Sequence, residues 1–340
     1  SVAAGRLDAM DNVAGYVNEQ LGGLAQLDYL KKLAKRVEAD WDGVVADMET
    51  IRAAVVQRAG SVTNLTADAK TLESTAGAVE TFLNSLPATG VGAVTTPWPT
   101  TLLLPSQNEL FTVPTQVNYV GKGANLYKAG YDLHGSAYVI NKLLGTTWLW
   151  DRVRVVGGAY GGFSDFDSHS GMFSYLSYRD PNLMKTVANY DATVDYLKDL
   201  KIDDEELTKS IIGTMGELDS YQLPDAKGYT ALMRNLIKVE DRERQQGREE
   251  VLSTTEKDFA AVGETLEAAR APPPLAFGGA FGAGVGAGGG DCSRFLRVAG
   301  GLSTASRFLF VPRASAGGCL LYTPPPPPAP TSSTDPASPP

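Results

Sequence analysis

Apolar side chains return every three to four residues along the first part of the chain. Leu27, Leu30, Ala34 and Val37 form one stripe, and Trp41, Val45, Met48, Ile51 and Val55 form a second, each backed by polar residues. This period predicts amphipathic helices. The segment SVTNLTA, Ser61 to Ala67, reads as a strand that feeds a further helix with the stripe Val79, Phe82, Leu83 and Leu86, ended by Pro87. Prolines, glycines and threonines without periodicity then run from Ala88 to Ser106, the composition of a connection between domains. After it the period changes to two. Val113, Thr115, Val117 and Tyr119 alternate with Gln116 and Asn118, which predicts a half-buried strand, and a long helix is expected around His134 to Arg152.

Further along, YGGFSDFD and MFSYLSY read as two strands joined by the turn SHSG. Asp180 is placed to cap a helix with Pro181 at its first position and the stripe Leu183, Val187, Tyr190, Val194 and Leu197. Asp203 with Glu206, and Ser253 with Glu256, fit the capping box, in which two side chains satisfy each other's orphan backbone N–H. Strands and helices joined by short loops make an α+β fold, with helices packed on one face of a sheet.

Composition changes this picture at one place. Ala271 to Pro340 holds 13 of the 20 prolines and 12 of the 36 glycines, including LAFGGAFGAGVGAGGG and TPPPPPAP. Such a segment buries too little apolar area to offset its backbone entropy, so 271–340 is expected to be a disordered low-complexity tail, which a translated non-coding stretch would also explain. Charge is uneven as well. Residues 1–270 carry 26 Lys and Arg against 37 Asp and Glu, a net −11. An acidic body argues against nucleic acid and anionic membrane as partners and suits basic ligands. The sequence shows no apolar run of the roughly 20 residues a membrane span needs, and no targeting peptide. It starts at Ser1 without Met, so a native start upstream is expected. Both cysteines, Cys292 and Cys319, lie in the tail, which leaves the body without a disulfide or thiolate metal site.

Candidate chemistry concentrates in RVVGGAYGGFSDFDSHSG, Arg154 to Gly171. A cation, a tyrosine and paired glycines offer groups that steady a developing negative charge on a backbone able to approach a ligand closely. Asp165, Asp167 and His169 alternate, so one strand would place them on one face as candidate metal ligands; a turn at SHSG would instead swing His169 out of line and leave a hydrogen-bonded hairpin. Neither His134 nor His169 lies in HExxH or HxxEH, and GxSxG, GxxxxGK[ST] and GxGxxG are absent, so zinc-helix, serine-hydrolase, P-loop and dinucleotide readings lack support. On the residues alone, Arg154 could equally end its helix on terminal carbonyls, and Tyr160 could pack under a loop.

The stretch WLWDRVRVVGGAYGGFSDFDSHSGMFSYLSYRDPNL, with VPTQVNYVGKGANLY before it, DSYQLPDAKGY after it and RLDAMDNVAGYVNEQLGG near the start, resembles the C-terminal half of pitrilysin-type, inverzincin zinc peptidases of mitochondria and plastids. The resemblance covers Ser1 to about Arg270. It implies two-layer α+β repeats, helices on one face of a mixed sheet: 1–87 as the end of a third repeat, 88–112 as a linker, 113–270 as a fourth repeat truncated before its final strand and helix, then the tail 271–340. It implies that two halves enclose a chamber for unfolded, basic peptides such as cleaved targeting presequences, in the mitochondrial matrix or chloroplast stroma. Zn2+ would be held by an N-terminal zinc-bearing half, in the same chain or a separate one, and no zinc ligand is recognised here. Arg154 and Tyr160 match the family's catalytic Arg and Tyr, with Gly157, Gly158, Gly161 and Gly162 lining the substrate path. Three readings follow: part of a zinc metalloendopeptidase, which alone would be inactive; a non-catalytic peptide-binding or partner subunit; and a truncated product without activity.

Overall fold

The computed structural model describes residues 2–88, 101–113, 115–269 and the backbone of 274–278. Helices α1 (Val2–Asp11) and α2 (Val13–Gly22) are separated by Asn12, whose side chain accepts the Gly15 N–H at 2.6 Å. That bond caps α2. Gly15 also permits the crossing, because a Cβ there would collide with the Asp8 backbone. Helices α3 (Leu24–Ala39), α4 (Trp41–Val55) and α5 (Ala69–Ser85) follow where the stripes predicted them. Asp40 and Asp68 cap the latter two. Their apolar sides lie largely open, with Met48 and Ile51 each 61% exposed and Val55 73%.

Ser61 to Ala67 departs from expectation: it is an irregular connection, not a strand. A strand needs a neighbour for its backbone N–H and C=O groups, and the segment has no ladder partner among the described residues. Asn64 Nδ2 instead donates to the Gly228 carbonyl at 3.3 Å. The strand expected over Val113 to Tyr119 is likewise displaced, into β1 (Glu109–Thr112) and β2 (Tyr119–Asn125) on either side. Between them Thr115 N donates back to Val113 O at 2.8 Å, and Asn118 exchanges both backbone bonds with Asp180. Those bonds take the chain out of register with a continuous strand.

The long helix expected from His134 is α6 (Ser136–Thr146), continued by a wide helical turn, Trp150–Val155. Strands β3 (Gly161–Asp167) and β4 (Met172–Tyr178) form the hairpin, then come α7 (Met184–Asp191), α8 (Thr193–Asp199), α9 (Asp204–Leu218), α10 (Pro224–Ile237), α11 (Asp241–Leu252) and α12 (Glu256–Ala268). Asp180 does not begin α7. Its carboxylate instead takes the Asn182 N–H at 2.8 Å and the Thr186 hydroxyl at 2.6 Å, so the helix starts after Pro181 and Asn182. Asp203 caps α9 by accepting the Glu206 N–H at 2.8 Å, the N-cap half of the expected box. The second capping box lies two residues late, at Thr255 with Asp258, because Ser253 already closes α11.

One strand comes from the segment whose composition indicated a disordered tail. Pro274–Gly278 forms β5, parallel to β1 and antiparallel to β2, giving the mixed sheet β1-β5-β2-β4-β3. The apolar run PLAFG is as short as a strand and is swamped by its proline- and glycine-rich surroundings when composition is averaged. Residues 89–100 of the expected linker, and 271–273 and 279–340 of the expected tail, lie outside the described residues.

Alternation along the strands separates two clusters. Val120, Phe173 and Tyr175 face α6, α7, α8 and α12, joining Ile140, Leu143, Leu144, Tyr190, Leu197 and Phe259 in the main core. Residues of opposite parity, Met172 and Leu176, meet Ala3 and Leu7 of α1 on the other face. Gly121 admits that helix, since a Cβ would stand 3.1 Å from Leu7 Cδ1. The fold is α+β, a helical layer on one face of a mixed sheet with α1 on the other.

Candidate functional site

The site begins with a defect in a helix. Val156 N donates to Asp151 O at 2.8 Å, five residues back, which widens the turn after α6. Along WLWDRVR this stacks two Trp–Arg pairs at i and i+4. Arg152 Cζ lies 5.0 Å from the Trp148 ring centre, and Arg154 Cζ 4.1 Å from that of Trp150. Val153, between them, is fully buried and anchors the turn to the core. Gly158, at φ +79°, ends it in the left-handed region. Asn182 Nδ2 holds the Gly157 carbonyl at 2.6 Å, and the chain enters β3 through Tyr160, whose N–H donates to Tyr178 O at 3.0 Å.

Tyr160 stands at the surface, 64% exposed. Its ring meets Tyr178 edge to face at 5.6 Å, and Arg154 Cζ lies 5.8 Å from its centre. The structure therefore brings Arg154 and Tyr160 together. Among the described residues the Arg154 guanidinium has only ring contacts, and the Tyr160 hydroxyl makes no hydrogen bond. Arg6 and Arg36, in contrast, are held by carboxylates. Arg154 does not lie on terminal carbonyls, and Tyr160 is not covered by a loop.

The four glycines have internal explanations. A Cβ at Gly157 would strike the Val153 carbonyl, one at Gly161 the Phe163 ring, and one at Gly162 would come 2.8 Å from Val153 Cβ; Gly158 is fixed by its φ. Sequence reasoning missed Trp150 and Tyr178. Trp150 is visible as the i−4 neighbour of Arg154, whereas Tyr178 reaches the site only through its pairing opposite Gly161.

Asp167, beyond Tyr160, serves the hairpin turn, while Asp165 lies in β3 opposite Ser174. Asp167 accepts the His169 N–H at 3.0 Å and the Ser170 hydroxyl at 2.6 Å. Burial pushes its pKa up, but the Ser170 hydroxyl and the backbone donors outweigh this and hold it below the usual range. Asp8 of α1 faces this hairpin; burial first, then the charges of Asp167, Asp165 and Asp11, push its pKa to about 6. The other histidine, His134, bonds Ser136 Oγ through Nδ1 at 2.8 Å. Among the described residues no group of three His, Cys, Asp or Glu is placed to hold a metal ion, so this part of the molecule does not fit the family's zinc.

Residues 108–271 match the sequence model of the PreP C-terminal domain. Presequence protease 1, chloroplastic/mitochondrial, of Arabidopsis thaliana is 54% identical over 269 residues, 79% of this chain and 25% of that protein. Protein HypA of Clostridium perfringens is 38% identical over 150 residues, covering 44% of this chain and 15% of that one. The crystal structure of a peptidase M16 inactive domain from Pseudomonas fluorescens is similar at TM-score 0.45 and 16% identity, over 61% of this chain and 51% of that one. The chain thus spans about a quarter of the length of its Arabidopsis relative. On its sequence matches, the chain belongs to the presequence protease family, whose C-terminal domain it carries.

Proposed function

We propose that this chain is the C-terminal part of a zinc metalloendopeptidase that degrades unfolded peptides such as cleaved organelle-targeting presequences. In this reading Arg154 and Tyr160 supply donors to the substrate. The observation that carries it is an arginine and a tyrosine side by side, both without polar partners among the described residues, in a body of net charge −11. When a peptide carbonyl becomes tetrahedral its oxygen turns from a weak acceptor into an oxyanion. A hydroxyl from Tyr160 and the planar fork of Arg154, already in place, bind that oxygen more strongly in the transition state than in the ground state. The acidic body favours basic peptides. Metal and nucleophile belong to an N-terminal zinc-bearing half, in the same chain or a separate one. The names of the Arabidopsis relative and of the mitochondrial presequence protease of Mus musculus support a mitochondrial or plastid location.

The test is Tyr160→Phe in the complete protease, with cleavage of a quenched fluorescent peptide normalised to folded protein. Loss of an oxyanion donor lowers kcat by roughly a hundredfold to a thousandfold. A rate within about threefold of the parent, a barrier change under ~0.7 kcal/mol, removes Tyr160 from the mechanism.

A further inference from the structure

We propose that Trp150 is a positioning residue for Arg154, holding its guanidinium ready for substrate in place of the carboxylate that Arg6, Arg36, Arg52, Arg244 and Arg248 use. The inference rests on the reading of Arg154 as a substrate-binding group and adds how that group is held. An isolated arginine on a surface samples many rotamers, and ordering it on binding costs side-chain entropy. A carboxylate partner would order it but would occupy the donors and neutralise the charge. A ring does neither. Stacked on an aromatic face, a guanidinium keeps its N–H groups directed outward in its own plane. Arg154 Cζ lies 4.1 Å from the Trp150 centre, closer than any other Arg–ring contact among the described residues, and has Tyr160 on its other flank at 5.8 Å.

The wide turn supplies an internal comparison. Trp148 and Arg152 repeat the same spacing, yet Trp148 stacks on Tyr196 at 4.6 Å and donates Nε1–H to Asn189 O at 3.1 Å. That pair ties the turn to α7 and α8. Trp150 is 44% exposed and has the Arg154 guanidinium as its ring partner among the described residues. A tryptophan with so little structural work beside it is explained by the cation it carries.

The experiment compares Trp150→Leu, Trp150→Phe, Arg154→Ala and Arg152→Ala in the complete protease, with kcat and KM measured separately on a quenched fluorescent peptide and rates normalised to folded protein. Trp150→Leu keeps an apolar side chain without a ring quadrupole, and is expected to lower kcat/KM by roughly 3- to 30-fold. Trp150→Phe is expected to restore most of that loss, and Arg152→Ala to match the parent. In the Arg154→Ala background Trp150→Leu should have no further effect, because its only route to substrate is gone. If Arg154→Ala is impaired while Trp150→Leu matches the parent, or if Phe and Leu are equally impaired, the positioning role is overturned and the site reading stands. A parental rate in Arg154→Ala removes both.

Discussion

Asp8 holds its proton unusually well, and that gives the molecule a pH dependence that can be isolated. Its pKa of about 6 compares with 3.8 for a free side chain, through burial and the neighbouring Asp167, Asp165 and Asp11. The folded state therefore binds the proton more tightly than the unfolded chain, and this contribution to stability is full below pH ~4 and lost as pH rises through about 6. Denaturant midpoints between pH 4 and 7 should fall less for Asp8→Asn than for the parent, with the variant the more stable at pH 7; parallel curves would show that Asp8 is not strained by its neighbours. In the role proposed for Arg154 the guanidinium acts through its shape. Arg154→Lys keeps the charge but loses the planar fork and the stacking surface on Trp150, so turnover in the complete protease should drop at unchanged stability; a fully active lysine variant would reduce the residue to its charge. The residues alone marked the stretch that holds Arg154 and Tyr160 as candidate chemistry, and only the resemblance chose a catalytic reading, because nothing in their spacing distinguishes a free guanidinium from one that ends a helix. Their partners divide in the same way: Trp150 follows from helical spacing, while Tyr178 needs the strand register.

Elements were legible wherever a local signal acted alone. The stripes of α3 to α5 and the hairpin of β3 and β4 fall where periodicity put them. Signals failed where two competed. Ser253, Thr255 and their acidic followers offer two overlapping capping boxes, and the chain resolves them by giving Ser253 to the end of α11 and Thr255 to the start of α12. Thr255→Ala should therefore cost about 1 kcal/mol of unfolding free energy. Ser253→Ala should stay within about 0.5 kcal/mol of the parent. Chemical denaturation of the two variants decides this, and the reverse order would restore the sequence-based cap. Strand β2 shows the same competition: alternation alone extended it back to Val113, but Asn118 is taken by Asp180 before the ladder begins.

At the scale of the whole molecule, composition misled where a short element is embedded in a long biased segment. Strand β5 lies between β1 and β2, so removing it separates the sheet's edge from its body. A chain ending at Gly278 should melt close to the parent, and one ending at Ala269 should lose roughly 5 to 10 °C; equal melting temperatures would remove β5 from the stable sheet. Limited proteolysis should likewise stop beyond Gly278, leaving β5 attached. The open apolar sides of α3 and α4 belong to this scale too, since no local pattern tells whether a stripe finds a partner. The position of β5 also has a bearing on synthesis. Strand β1 joins the sheet through a parallel partner that the ribosome makes only after α12, so during translation β1 waits unpaired and β2 has one bare edge. Closure of the sheet is therefore a late event, and the nascent chain carries an exposed strand edge for most of the time it takes to translate the domain. A stall or frameshift ahead of residue 274 would leave that edge permanently bare, and the product would be a substrate for chaperones and quality-control proteases.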